Sequence, residues 1–170
     1  MTATSKAAIR RATPTDAARI ADAHRDSIQS IGSAFYPPSV VAAWQNGLGP
    51  ELYVNAMERG EVFFIAEHQV VDDAEVLGFA SDYPIEGAQH GVSAYVRGRA
   101  ARHGIGSALL RLAEADARDK GAMVIRIEAS LAAVEFYRAN GYVEIGHGHI
   151  RLTSGQPIAC AFMKKDLQKA

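Results

Sequence analysis

Apolar and polar positions alternate with a helical period in the first third of the chain. Apolar side chains recur every three or four residues between Thr13 and Ile28, as expected of a helix with one buried face. Thr13 followed by Pro14 is a typical helix start, and two shorter helices are predicted next, at about 39–47 and 50–60. One short strand precedes them, so this part of the chain is predicted to be mainly helical.

From residue 61 onward the pattern changes to apolar, β-prone runs separated by turn residues. Two further helices interrupt these runs, and a glycine follows each of them. The predicted strands lie at 61–68, 74–84, 91–98, 122–130, 142–152 and 156–165, and the predicted helices at 104–120 and 131–140. This order predicts an α/β domain, in which helices cover the faces of a mixed sheet.

Composition and charge narrow the functional classes. A chain of 170 residues is expected to form one domain, 1–170, with residues 1–6 flexible. The net charge of −1 argues against nucleic acid as a partner, and the sequence lacks an apolar run long enough to span a membrane. The single cysteine, Cys160, excludes an internal disulfide, and the first residues lack a secretory pattern. A cytoplasmic location is therefore expected.

The segment YVRGRAARHGIGSALL, residues 95–110, joins a predicted strand to a predicted helix through two glycines. The first backbone N–H groups of a helix have no partner inside it and carry the positive end of its dipole. Gly104 and Gly106 leave that backbone open to a ligand, and Arg102 and His103 add donors at its rim. Such a place suits a phosphate group.

Two phosphate-binding patterns fit this segment poorly. The ATP-binding loop requires Gly-Lys-Ser/Thr, which is missing here, and the dinucleotide pattern fails because Leu109 stands at its third glycine. A nucleotide-binding α/β protein is therefore disfavoured. From the glycine spacing alone, an ordinary helix start with glycines for close packing stays open beside a phosphate site.

The same segment resembles the coenzyme A pyrophosphate loop of the GCN5-related N-acetyltransferases (GNAT). A second segment, ASLAAVEFYRANGYVEIG at 129–146, is similar to the family helix A-S-x-N-A-x-x-F-Y-x-x-x-G-F/Y. The resemblance covers about residues 8–167. It implies an α/β (α+β) fold with a mixed, mostly antiparallel sheet of about six to seven strands and about four to five flanking helices. Ala101 and Ala132 depart from the family, which usually has a long polar residue and an asparagine there.

The resemblance implies an acetyl-CoA-dependent N-acetyltransferase without a metal. In this family the acceptor amine attacks the acetyl carbonyl directly, so the protein supplies position, a donor for the oxyanion and proton handling. The implied acceptor is a primary amine of a small molecule or a protein, and a homodimer is plausible for such a chain. A non-catalytic acyl-CoA-binding sensor or interaction module is the alternative.

The resemblance also implies residue roles. Backbone groups of one strand would pair with the pantetheine amides, and the glycine loop would hold the diphosphate. The implied coenzyme-binding residues are Ala94, Tyr95, Val96, Arg102, His103, Gly104, Ile105, Gly106, Ser107 and Ala108. Tyr137 matches the family tyrosine that protonates the leaving thiolate; without the motif it would be interpreted as a buried packing aromatic.

The general base and the acceptor pocket are less well defined by the sequence. Glu128 is a candidate base that relays a proton through water, although an ion pair with Arg126 on the same strand face is the alternative. Tyr36, Trp44 and His90 are candidates for the acceptor pocket; the alternatives are packing of the two aromatic rings on the sheet and a solvated loop position for the histidine.

Overall fold

A computed structural model describes residues 7–167, so the predicted flexibility of residues 1–6 lies outside the described part of the chain. Residues 7–167 form seven strands and five α-helices. The strands are β1 (Ala8–Arg11), β2 (Val62–Val70), β3 (Asp73–Pro84), β4 (Gln89–Val96), β5 (Val124–Ser130), β6 (Val143–Arg151) and β7 (Pro157–Asp166). The helices are α1 (Ala17–Ser30), α2 (Pro38–Asn46), α3 (Pro50–Glu58), α4 (Ile105–Asp119) and α5 (Val134–Ala139).

All seven strands belong to one sheet, in the order β1-β2-β3-β4-β5-β7-β6. Neighbouring strands are antiparallel except β4 and β5, which are parallel. This parallel pairing extends only from Gln89↔Val124 to Gly91↔Arg126. Beyond it the two strands separate, while each stays paired with its other neighbour. The predicted mixed, mostly antiparallel sheet with flanking helices is confirmed.

Helices α1 and α4 cover opposite faces of the sheet. Successive residues of a strand point to opposite faces, so each helix packs against a different set of strand side chains. Leu109 and Leu110 of α4 are fully buried and pack in one cluster with Val92 and Ile125. α1 and α3 pack in another cluster, against residues of β2 and β3 such as Phe79. None of the helices within residues 7–167 combines the length and hydrophobicity that crossing a bilayer demands.

The structure differs from the predicted boundaries at the start of the first helix. The residues 14–16 form a 3₁₀ turn, and α1 begins only at Ala17. The buried carboxylate of Asp16 explains the tight turn: it accepts hydrogen bonds from the Thr13 amide at 2.8 Å and from Arg10 at 2.9 Å. The last helix is also shorter than predicted, since residues 131–133 form a second 3₁₀ turn before α5.

Candidate active site

The separation of β4 from β5 opens a cleft of about 770 Å³ through the sheet. Side chains from both faces of the sheet contribute to its walls. On the α4 side these are Val92, Ala94, Phe136 and Tyr137; on the α1 side they are Trp44, Tyr83, Ser93, Tyr95 and Glu128. A ligand entering from one face can therefore meet a second ligand entering from the other.

The glycine loop forms one end of this cleft. Arg102 and Gly104 adopt left-handed backbone conformations, with φ of 62° and 81°, and α4 begins at the next residue. The first hydrogen bond of the helix joins the Ala108 amide to the Gly104 carbonyl at 3.0 Å. Across the described chain, no protein group accepts a hydrogen bond from the backbone amides of residues 102–107. We call these amides the free amide run.

The two glycines of the loop serve different purposes. Gly104 has open space around its Cα but requires a positive φ, which L-residues with a side chain rarely adopt. At Gly106 the constraint is space: an added Cβ would lie 3.1 Å from the Phe136 ring and 3.3 Å from Cγ2 of Val96. Together they keep the free amide run against the wall formed by β4 and α5.

The structure divides the predicted coenzyme-binding residues into two groups. Those that line the cleft are Ala94, Tyr95, Val96, Arg102, Gly104, Gly106 and Ser107. His103 and Ile105 do not line the cleft, but their backbone amides belong to the free amide run. Ala108 differs from its predicted role, because its amide already donates within α4 and its side chain does not line the cleft.

Charge at the loop comes mainly from Arg102. It lines the cleft, and no ion pair or hydrogen bond joins its guanidinium to another side chain among residues 7–167. Arg97 and Arg99, the other two arginines of the segment 95–110, are ion-paired with Glu75 instead. The helix start and Arg102 therefore make this end of the cleft electropositive.

One edge of β4 is open where the cleft runs. Ala94, Tyr95 and Val96 pair with β3 on one side, and they have no register partner in β5 on the other. An extended ligand placed there can hydrogen-bond this edge as an additional strand would.

Tyr137 lies on the wall shared by α5 and β4. Its side chain is 3 % exposed, and its ring packs edge-on against Phe136 and Tyr142 at centroid distances of 5.1 and 5.4 Å. Burial raises the pKa of its hydroxyl, while the backbone amide of Ala94 acts in the opposite direction. The phenol therefore holds its proton at neutral pH, and it reaches the cleft although the ring is packed.

Glu128 lines the cleft on the α1 side. The alternative of an ion pair with Arg126 is not found: within residues 7–167, no cationic group lies within ion-pair distance of the Glu128 carboxylate. Its charge is one reason why the pKa of Tyr83 rises to about 12, after burial and the charge of Glu61. Glu128 and Tyr83 both line the cleft on the α1 side of the sheet.

The three residues predicted to form the acceptor pocket do not all line the cleft in the structure. Trp44 lines the cleft and is 8 % exposed. Tyr36 does not line it, because its hydroxyl donates to the Ala159 carbonyl at 2.6 Å and accepts from the Leu131 amide at 2.8 Å.

His90 also differs from its predicted place in the pocket. Its Nδ1 lies 2.6 Å from the buried carboxylate of Asp82, which also accepts a hydrogen bond from Lys120 at 3.1 Å. This cluster lies where β4 and β5 are still paired, outside the cleft lining. His90 is therefore a buried, hydrogen-bonded residue that connects the strands to the end of α4.

Tyr83 and Ser93 line the cleft, although neither residue was predicted from the sequence to do so. The Tyr83 ring lies over Gly91, its direct partner on β4, and a Cβ at Gly91 would collide with it. Strand alternation alone places Ser93 on the same face as Tyr95. That signal could have identified Ser93, whereas Tyr83 required the register between two strands.

Within residues 7–167, no three His, Cys, Asp or Glu side chains are grouped as a metal ion would require. Nε2 of His147 lies 3.3 Å from a carboxylate oxygen of Glu144, and these two side chains do not form part of a group of three.

Both the sequence and the fold are similar to those of known acetyltransferases. Residues 59–144 match the acetyltransferase (GNAT) domain family. A GCN5-related N-acetyltransferase from Rhodopseudomonas palustris shares 26 % identity and a TM-score of 0.79, with 98 % of this chain and 99 % of that chain covered. The ribosomal-protein-alanine N-acetyltransferase from Brucella melitensis shares 25 % identity and a TM-score of 0.68, with 94 % and 99 % covered.

The PaiA N-acetyltransferase from Thermoplasma acidophilum, solved in complex with coenzyme A, is 18 % identical and has a TM-score of 0.73, with 95 % of this chain and 99 % of that chain covered. At this identity the similarity concerns the fold. A search of curated protein sequences found no significant match.

Proposed function

The chain belongs to the acetyltransferase (GNAT) domain family, and on that premise we propose that it transfers an acetyl group from acetyl-CoA to a primary amine of a small molecule or a protein. One observation carries the proposal: Tyr137 lines the same cleft as Arg102, Gly104, Gly106 and Ser107, whose amides belong to the free amide run.

The loop fits the diphosphate of the coenzyme. The free amide run supplies several donors toward one anionic group, and the dipole of α4 adds favourable potential. Arg102 supplies a full positive charge beside them. The coenzyme A complex of the Thermoplasma neighbour, which shares this fold, supports the choice of ligand.

The open edge of β4 fits the pantetheine arm. Its two amides can exchange hydrogen bonds with the backbone of residues 94–96, in the manner of strand addition. A backbone N–H on this edge then polarises the thioester carbonyl. This arrangement directs the sulfur toward Tyr137, which lines the same wall.

The chemistry is a direct transfer. The neutral amine nitrogen bonds to the acetyl carbon, the carbon–sulfur bond breaks, and the thiolate takes the phenolic proton of Tyr137. Burial raises the pKa of that phenol, so it holds its proton until the thiolate forms. After it bonds to the acetyl carbon, the nitrogen carries one proton too many and releases it to solvent on the acceptor side of the cleft. The Tyr137 phenolate takes up a proton from solvent, so that the net products are the amide and the free thiol.

Two measurements test the proposal. Calorimetry should show that the protein binds acetyl-CoA, and free thiol should be released when phenethylamine, spermidine or a peptide with an N-terminal alanine is added. The alanine peptide is included because the Brucella neighbour is named for that substrate. Binding without thiol release would favour the non-catalytic acyl-CoA module, and no binding would contradict the proposal.

A further inference from the structure

A line of hydrogen-bonded hydroxyl groups leads from the cleft to a carboxylate. Ser93 lines the cleft, and its Oγ lies 2.7 Å from the Oγ of Ser81. Ser81 Oγ in turn lies 2.5 Å from Oε1 of Glu61. The transfer mechanism described above uses none of these three residues.

The register of the sheet makes this line possible. Ser81 and Ser93 are direct partners on β3 and β4, so their side chains lie together on one face. Ser81 is completely buried. Glu61 comes just before β2, and its amide donates to the Ala56 carbonyl at 3.0 Å, which fixes its position at the end of α3.

The direction of the hydrogen bonds between Ser93, Ser81 and Glu61 follows from which of these groups has a proton to donate. An ionised carboxylate only accepts, so Ser81 gives its single hydroxyl proton to Glu61. Ser93 must then be the donor to Ser81. Its remaining lone pairs are left to accept a hydrogen bond from a ligand in the cleft, such as the N–H of an ammonium group.

We propose that Ser93, Ser81 and Glu61 form a proton relay that deprotonates the acceptor ammonium, an inference that rests on the proposed function. The ammonium nitrogen gives a proton to Ser93 Oγ, Ser93 gives its own proton to Ser81, and Ser81 gives its own to Glu61. The nitrogen becomes a neutral nucleophile, both hydroxyls are restored, and Glu61 becomes a carboxylic acid.

The surroundings of Glu61 suit a terminal proton acceptor. Burial raises its pKa from the ordinary value of 4.5, while the bond from Ser81 and the charge of Arg59 lower it and the charge of Asp82 raises it further. Its charge also contributes to the raised pKa of Tyr83. Glu61 is therefore a stronger base than a solvated carboxylate.

The test compares pH profiles of turnover, using whichever amine of the panel gives the fastest thiol release. We expect Glu61→Gln to lower kcat/KM for the amine by about 100-fold at pH 7. Its activity should then keep rising with pH toward the pKa of the free amine, because only amine that has already lost its proton reacts. Wild type should reach a plateau at lower pH. Affinity for acetyl-CoA, measured by calorimetry, should be unchanged.

Matched variants separate a relay from a structural role. Ser93→Ala should reproduce the altered pH profile, and Ser93→Thr, which keeps the hydroxyl, should restore most of the activity. Glu58→Gln removes the same charge at the exposed end of α3 and should leave the profile unchanged. These variants keep the inference testable even if a substitution at the buried Ser81 prevents folding.

Each result decides a different question. An unchanged profile in Glu61→Gln, with an active wild type, would overturn the relay and leave the acetyltransferase proposal intact. A changed profile in Glu128→Gln but not in Glu61→Gln would assign the base to Glu128 instead. If the wild type binds acetyl-CoA but acetylates no amine of the panel at any pH, the relay is contradicted. If it does not bind acetyl-CoA, the proposed function fails first.

Discussion

The two ends of the cleft are built in different ways. The end proposed to bind the coenzyme, here called the coenzyme end, is a run of backbone amides, 102–107, contributed by one loop and the first turn of one helix. The end proposed to bind the acceptor, here called the acceptor end, consists of side chains from α2, β3, β4 and β5, among them Trp44, Tyr83, Ser93 and Glu128. Recognition by backbone is thus encoded in a few consecutive residues, whereas recognition by side chains depends on which strands become neighbours.

The strongest test of this contrast is a substitution at the coenzyme end. Gly104→Asp forces a side chain onto a backbone with φ of 81° and places a negative charge beside the diphosphate. We expect affinity for acetyl-CoA to fall by at least about 100-fold in calorimetry.

The control for this substitution is Gly155→Asp, which has a comparable φ of 85° in the turn between β6 and β7. It should bind acetyl-CoA like the wild type. Equal losses in both variants would mean that strain, and not the amide site, determines the result.

A second test asks whether the phenol between the two ends acts in the reaction. Tyr137→Phe keeps the packed ring but removes the proton donor. We expect kcat to fall by about 100-fold, with acetyl-CoA affinity nearly unchanged, in steady-state kinetics and calorimetry.

Tyr142→Phe is the matched control, since the Tyr142 hydroxyl donates to the buried Glu114 at 2.9 Å, away from the cleft lining. It should lower the free energy of unfolding by about 1 kcal/mol and leave kcat unchanged. A normal kcat in Tyr137→Phe would remove the tyrosine from its proposed role.

A third test concerns the buried packing around His24, next to the cleft residue Tyr95. The His24 ring lies 3.9 Å from the Tyr95 ring, its Nδ1 lies 2.8 Å from the Tyr53 hydroxyl, and burial lowers its pKa from 6.5 to about 3. The unfolded chain therefore binds this proton below pH 6.5 while the folded protein does not. Stability is complete above pH 6.5 and should fall below it by up to about 1.4 kcal/mol per pH unit.

Urea denaturation between pH 7.5 and pH 5 measures this loss. His24→Phe should remove the dependence on pH, even if the variant is less stable throughout, and replacement of the exposed His149 by Gln should retain it. An identical slope in His24→Phe would show that another group controls it.

The smallest effect is expected from restoring a family residue at the coenzyme end. Ala132 lines the cleft where the family usually has asparagine. Ala132→Asn should tighten acetyl-CoA binding by about fivefold, the gain typical of one added hydrogen bond. Ala132→Leu is the control for added bulk, and an equal gain there would exclude a polar contact.

The sequence was most informative where structure depends on neighbours along the chain. The order of helices and strands along the chain and the helix that begins at the paired glycines followed from local patterns and from the resemblance they carry. Ala108 was predicted to bind the coenzyme, but its amide donates to the Gly104 carbonyl in the first turn of α4.

Prediction failed where a side chain finds its partner on a different strand or helix. Tyr36 is held by Ala159 and His90 by Asp82, contacts that no pattern around either residue contains. The hydroxyl line from Ser93 toward Glu61 likewise exists only because two strands pair in one register. Such placements require the assembled sheet.

The short parallel pairing of β4 with β5 has a consequence for stability. It leaves two strand borders facing each other in the middle of the sheet, each with main-chain groups that the other does not satisfy. A bound pantetheine would act as a partial eighth strand, so we expect cooperativity between ligand binding and folding of the whole sheet. Bound acetyl-CoA would then raise the free energy of unfolding of the protein in proportion to its affinity for the folded state.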